Sequence, residues 1–137
     1  MKILIVNGPN LNLLGTREPE IYGTISMKSC LENLKSKFPE QEILYYQSNI
    51  EGEIINRLQV EDFDALIINP GAYTHYSYAI ADCLKNIKKP KIEVHISNIY
   101  QREEFRQKSV TAAFTNAVLS GFGLKGYELA IYSILDA

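Results

Sequence analysis

Short apolar runs and amphipathic stretches alternate along the chain. Residues 2–6, 42–46, 65–69 and 91–96 are each brief and rich in Ile, Leu, Val or Tyr, the pattern of buried strands, and a weaker fifth run lies near 117–120. Between them Met27, Leu31, Leu34 and Phe38 recur at helical spacing, as do Tyr76, Ala79, Ile80, Cys83, Leu84 and Ile87, so each set forms one apolar helix face. Tyr127 to Leu135 reads as a closing helix. Near-continuous apolar strands such as Ala65-Leu66-Ile67-Ile68 belong to parallel sheets covered by helices on both faces. The pattern predicts an α/β fold: a flavodoxin-like three-layer sandwich around a parallel, five-stranded sheet, in one domain over 1–137. Pro39 and Pro90 fit as breaks between helix and strand, and Thr24 as the cap of the first helix.

Composition narrows the partners. The 137 residues are 46% hydrophobic and 22% charged, enough to bury an ordinary core. A formal charge of -2 supplies no basic excess for a phosphate backbone, so small molecules are expected rather than nucleic acid. Cys30 and Cys83 fall in apolar-periodic segments without CxxC spacing, which reads as packed thiols in a reducing cytoplasm, not a disulfide framework or a zinc site. No signal peptide is expected, because the first apolar run is short and broken at once by Asn7-Gly8-Pro9, and no membrane association, because no apolar run approaches membrane-spanning length.

The distinctive polar residues fall just past successive strands: Asn10 and Arg17 after the first, Gln47-Ser48-Asn49 after the second, Asn69-Pro70-Gly71 after the third and His95-Ile96-Ser97-Asn98 after the fourth. Open α/β sheets place ligands at that carboxyl edge. Neutral donors around few charges suit a hydroxylated, carboxylate-bearing ligand better than a polyphosphate, and neither GxGxxG nor GxxxxGK[ST] occurs.

Alternation along Ile92-Glu93-Val94-His95 puts His95 and Glu93 on one side of the strand, where a carboxylate can orient an imidazole. The competing reading is a strand-end histidine bonded to a neighbouring loop. His75 precedes a helix expected to begin near Tyr76 and is read either as meeting local amides or as a ligand contact. Asp82 follows seven residues later, roughly 10 Å along a helix axis, so one monomer cannot easily bring both to one small substrate. If both act, Asp82 serves a neighbouring subunit. Tyr22 lies five residues from Arg17. A phenol is a poor base at neutral pH unless a guanidinium favours its phenolate, and the bland alternative is a surface tyrosine beside a solvated arginine. Gly15 and Gly23 bracket this segment as hinges of a lid or as simple turn residues.

Asn7-Gly8-Pro9-Asn10-Leu11-Asn12-Leu13-Leu14-Gly15, with Arg17-Glu18-Pro19 and Tyr22-Gly23, resembles the opening signature of type II 3-dehydroquinate dehydratases. Three later blocks agree in order: Gln47-Ser48-Asn49 with Glu51-Gly52, then Asn69-Pro70-Gly71-Ala72-Tyr73-Thr74-His75, then Glu93-Val94-His95-Ile96-Ser97-Asn98 with Arg102-Glu103 and Phe105-Arg106. The resemblance covers nearly the whole chain. It implies a flavodoxin-like fold and dehydration of 3-dehydroquinate to 3-dehydroshikimate through an enolate, without metal, cofactor or lysine Schiff base, in aromatic biosynthesis by the shikimate pathway or in quinate breakdown.

The resemblance also implies roles. Tyr22 would remove the C2 proton and Arg17 would hold it as phenolate. Asn10 would position a water at the enolate oxygen, and His95, oriented by Glu93, would protonate the departing hydroxyl. Asn69, Ile96 and Ser97 would hold the substrate carboxylate, His75 and Arg106 the ring hydroxyls. Asp82 would act across a subunit interface in a homo-oligomer, a dodecamer of four trimers. Ala81, Gln107 and Ala117 stand where the family often carries arginine, histidine and glycine; none is a proposed catalytic position.

Other classes fare worse on the residues themselves. A flavin or nucleotide module would need a phosphate cradle after the first strand, where Pro9 has no amide hydrogen. A non-enzymatic interaction protein would leave the acid-base set unexplained. A hydrolase using Ser97 or Cys83 lacks a nucleophile elbow.

Overall fold

A computed structural model describes residues 1–15 and 26–136. Five parallel strands form one sheet: β1 (Lys2–Asn7), β2 (Glu42–Gln47), β3 (Ala65–Asn69), β4 (Lys91–His95) and β5 (Ala117–Ser120), in the order β2-β1-β3-β4-β5. The strand order and all-parallel pairing are those of a flavodoxin-like sheet.

Alternation along the central strands builds two cores. Ile3 and Ile5 of β1 and Ala65 and Ile67 of β3 face α1 (Met27–Lys37) and α4 (Lys125–Leu135), which contribute Met27, Cys30, Leu34, Tyr127, Ala130, Ile131 and Ile134. Leu4, Val6, Leu66 and Ile68 face the opposite way, onto Ile54 and Leu58 of α2 (Glu51–Val60) and Ile80, Cys83 and Leu84 of α3 (Tyr78–Lys85). This is the expected three-layer sandwich, and both cysteines are buried free thiols. Burial pushes the Cys30 thiol up to about 11, with Glu128 adding to it, so it is inert at neutral pH.

Helix boundaries differ in detail from the expectation. The first helix starts at Met27 with Ser26 as its cap, the Ser26 hydroxyl accepting the Ser29 amide at 3.2 Å; Thr24 lies outside the described residues. The third starts at Tyr78, two residues after Tyr76, because Gly71–His75 forms a tight 3-10 turn and the Ser77 hydroxyl then accepts the Ile80 amide at 3.0 Å. The apolar spacing did not single out α2, whose buried face is only Ile54 and Leu58. Pro39 and Pro90 stand where expected, after α1 and before β4.

The strand ends are level. Asn7 pairs in register with both Gln47 and Asn69, so the loops after β1, β2 and β3 leave the sheet together. Side chains of β4 alternate between Ile92 and Val94 in the core shared with α4, and Lys91, Glu93 and His95 on the α3 side. There Lys91 Nζ donates to the Leu84 carbonyl in the last turn of α3 at 2.8 Å and to the Ile87 carbonyl just beyond its end at 2.5 Å.

Candidate active site

Two loops meet at the carboxyl edge with no room for larger residues. A Cβ on Gly8 would lie 2.3 Å from the Pro70 carbonyl oxygen. Gly71, at φ +62°, packs against Pro9 in the same way, its would-be Cβ 3.2 Å from the proline Cδ. The Gly8 amide donates to the Asn69 carbonyl at 2.8 Å. Asn10 follows in the left-handed region, φ 68°, which asparagine tolerates better than most residues. Its amide donates to Asn49 Oδ1 at 3.0 Å, and Gln47 Nε2 donates to the same oxygen at 3.1 Å. The Tyr73 hydroxyl donates to the Asn49 carbonyl at 2.7 Å. Asn49 is thus a strut joining three loops.

The resulting cleft, about 560 Å³ including its open mouth, is lined by Asn10, Asn69, His75, His95, Ile96, Ser97 and Arg106, all expected, and by Arg102, which was not assigned a role. Two guanidiniums and two imidazoles therefore face it, and no carboxylate is among its described lining residues. Such a surface suits an anion carrying hydroxyl groups. Gln47 and Ser48 do not line it; with Asn49 they buttress the loops that do.

His95 is buried beneath this cleft, and its Nε2 donates to Glu93 Oε2 at 2.7 Å, as the alternation along β4 predicts. That leaves Nδ1 as the ring nitrogen for a ligand. Glu93 has no exposed surface. Burial opposes its ionisation most strongly, but His95, through a hydrogen bond and its charge, and the Thr111 and Ser109 hydroxyls together outweigh it and hold the carboxyl below its ordinary value. Thr111 donates to Oε1, and Ser109 donates to Oε2 at 2.8 Å. No sequence pattern pointed to these hydroxyls, which arrive from a loop 16 and 18 residues further along.

Asn69 is held from behind. Its Oδ1 accepts the Gly71 amide at 3.1 Å and its Nδ2 donates to the buried Tyr127 hydroxyl at 3.3 Å, leaving one Nδ2 hydrogen for a ligand. Tyr127 donates in turn to Asn7 Oδ1 at 2.6 Å, and burial pushes its phenol far above the ordinary range. His75 Nδ1 donates to the Lys108 carbonyl at 2.7 Å, which leaves Nε2 toward the cleft. Ser97 Oγ accepts from Arg102 Nη2 at 2.6 Å and keeps its own proton to donate. Arg106 lies at the rim, 3.5 Å from Glu103.

Asp82 sits on the exposed face of α3, outside the cleft. His75 belongs to the separate 3-10 turn, so the two do not share one helix face. Arg17 and Tyr22, with most of the segment read as a lid, lie outside the described residues. Among the described residues no group of three or more His, Cys, Asp or Glu could hold a metal ion, and no helix is long and apolar enough to cross a membrane.

An open parallel sheet with a cation-rich polar crevice at its carboxyl edge, and a carboxylate-oriented histidine beneath it, defines an α/β enzyme class acting on small anions by acid-base chemistry. The family model described as "Dehydroquinase class II" matches residues 1–135, and the chain belongs to that family. The 3-dehydroquinate dehydratase of Caldicellulosiruptor bescii is 54% identical over 140 residues, covering 98% of this chain and 97% of that protein. That of Lachnoclostridium phytofermentans is 55% identical over 141 residues, covering 99% and 97%. The crystal structure of the type II dehydroquinase from Butyrivibrio crossotus matches with a TM-score of 0.94 at 48% identity, covering 98% of this chain and 97% of that one.

Proposed function

We propose that this chain is a 3-dehydroquinate dehydratase, a hydro-lyase that converts 3-dehydroquinate to 3-dehydroshikimate in aromatic amino-acid biosynthesis or quinate breakdown. The observation that carries the reading is the buried His95–Glu93 pair at 2.7 Å beneath a cation-lined crevice, in a chain of this family. The substrate has an acidic C–H beside a ketone, a hydroxyl to be lost and a carboxylate to be held.

In the proposed reaction the Tyr22 phenolate, held by Arg17, takes the C2 proton, and the C–H electron pair passes into the enolate. A water held by Asn10 donates to the enolate oxygen, an oxyanion-type contribution. The enolate then collapses to the ketone, the new carbon–carbon double bond forms, and the C1–hydroxyl bond breaks. His95 Nδ1 gives its proton to that hydroxyl, which leaves as water; Glu93 keeps the ring oriented. The segment Ile96-Ser97 and the remaining Asn69 hydrogen hold the carboxylate, and His75 and Arg106 bind ring hydroxyls. No step calls for a metal, a cofactor or an imine.

Asp82, exposed on α3, fits a residue that reaches the cleft of an adjacent copy. The reading therefore includes a homo-oligomer, a dodecamer of four trimers, each chain one catalytic domain over 1–137 working in the cytoplasm. Ala81 beside Asp82 is buried, so at this position no cation is offered to the interface. The test is the Tyr22→Phe variant beside the wild type, each given 3-dehydroquinate with and without borohydride. Enone formation that resists borohydride and is nearly abolished by Tyr22→Phe supports the phenolate mechanism. Inactivation by borohydride with substrate, or an active Tyr22→Phe enzyme, contradicts it.

A further inference from the structure

Behind the acid lies a cluster of three hydroxyls that the reaction does not touch. Thr74 Oγ1 is 2.6 Å from Ser109 Oγ and 2.7 Å from Thr111 Oγ1, and Thr74 and Thr111 are fully buried. Ser109 and Thr111 each donate their single proton to a different oxygen of Glu93, so the Thr74 proton can serve only one of them at a time. With His95 Nε2 added, the carboxylate accepts three hydrogen bonds inside the protein. The same segment is fixed to the loop after β3: the Val110 amide donates to the Thr74 carbonyl at 2.7 Å, and His75 Nδ1 donates to the Lys108 carbonyl.

We propose that Thr74, Ser109 and Thr111 are positioning residues for the acid step: their hydroxyls fix Glu93 as an oriented carboxylate, which aims His95 Nδ1 at the leaving hydroxyl. The inference rests on the dehydratase reading above and deepens it. Charged and titratable groups near the cluster include Glu93 and His95 on β4, His75 on the 3-10 turn and Lys108 beside Ser109, and Arg102 and Arg106 line the cleft. Apart from His95, no side chain but Ser109 and Thr111 donates a hydrogen bond to Glu93 among the described contacts. Losing one frees the carboxylate to turn and the imidazole with it. Proton removal from C2 is a separate event carried by Tyr22, and the cluster does not reach it. The two half-reactions should therefore be separable by mutation.

Thr111→Val keeps the shape and removes the hydroxyl; Ser109→Ala removes its partner on the other carboxylate oxygen. With full-length protein, turnover of 3-dehydroquinate and of its C2-deuterated form is followed by enone absorbance. We expect kcat of both variants to fall about tenfold or more and the C2-deuterium isotope effect on kcat to drop below the wild-type value, because hydroxide departure becomes limiting. Thr111→Ser should restore both. Unchanged kcat, or a fall in kcat with an unchanged isotope effect, overturns the proposal, since partial unfolding lowers the rate without changing which step limits it. If Thr111→Val does not fold, Ser109→Ala reads the same two quantities. Absence of enone from the wild type would instead overturn the dehydratase reading.

Discussion

Gly8 and Pro70 touch through their backbones where the loops after β1 and β3 cross, so closely that a Cβ on Gly8 would stand 2.3 Å from the Pro70 carbonyl oxygen. The obstacle is main chain in a turn that also carries Asn69, and it cannot rotate aside as a flexible side chain would. The crevice is therefore built on a contact that only glycine permits.

Gly8→Ala should destabilise the protein by about 1–3 kcal/mol through overpacking. It should also raise KM, because Asn10 and Asn69 are displaced together. Urea unfolding followed by circular dichroism gives the first quantity and steady-state kinetics the second.

Asn49 contacts no ligand in this reading, yet its Oδ1 receives the Asn10 amide and the Gln47 side chain. Asn49→Ala leaves Asn10 in its left-handed conformation without that anchor. A shift of ~1 Å in a positioned group can cost roughly 100-fold in rate, so kcat/KM should fall by about 10–100-fold with only about 1 kcal/mol of stability lost. Parallel kinetics and urea titrations separate the two effects.

Tyr127→Phe removes one hydroxyl that serves both Asn7 and Asn69 in a fully buried position. Two amide groups lose a partner where water does not reach, at a cost of about 1–3 kcal/mol. The variant should bind substrate more weakly as Asn69 loosens. Its urea midpoint and KM report on each.

Glu93 is more acidic in the folded protein than its ordinary value of 4.5. The folded state then binds fewer protons than the unfolded chain, so this group contributes stability that is complete above the ordinary carboxylate range and is lost as pH falls through the depressed value. Urea midpoints of the wild type should decline on acidification below about pH 4.5. Glu93→Gln should lack that component and show a flatter acid limb, with activity lost because His95 is no longer paired with a charge.

Much of the fold was legible because β1 and β3 are buried on both faces and read as unbroken apolar runs. The fifth strand was fainter for a physical reason: Ala117 and Val118 are exposed at the sheet edge. The helix α2 escaped the periodicity because only Ile54 and Leu58 are buried. Of the site, the His95–Glu93 pair follows from period-two alternation within one strand, and Asn10, Asn69 and Ser97 from their places at or just past strand ends. Ser109 and Thr111 reach Glu93 across 16 and 18 residues, with Thr74 bonded behind them, and no repeating pattern announces the three; Arg102 stood in view as a cation in the fourth loop without a reason to point inward. Asp82 was expected at an interface between subunits; it is exposed on α3 and does not line the cleft of its own chain, while the spacing along one helix axis does not apply because His75 stands in the separate 3-10 turn.

The dehydration itself is read by the ultraviolet absorbance of the conjugated enone when folded, assembled protein is mixed with 3-dehydroquinate, beside His95→Ala. Enone should accumulate with the wild type and form about 10²–10⁴-fold more slowly with the variant, the range lost with a general acid. Folded wild type that yields no enone, or a His95→Ala variant as fast as the wild type, would contradict the assignment of this crevice as a dehydratase site.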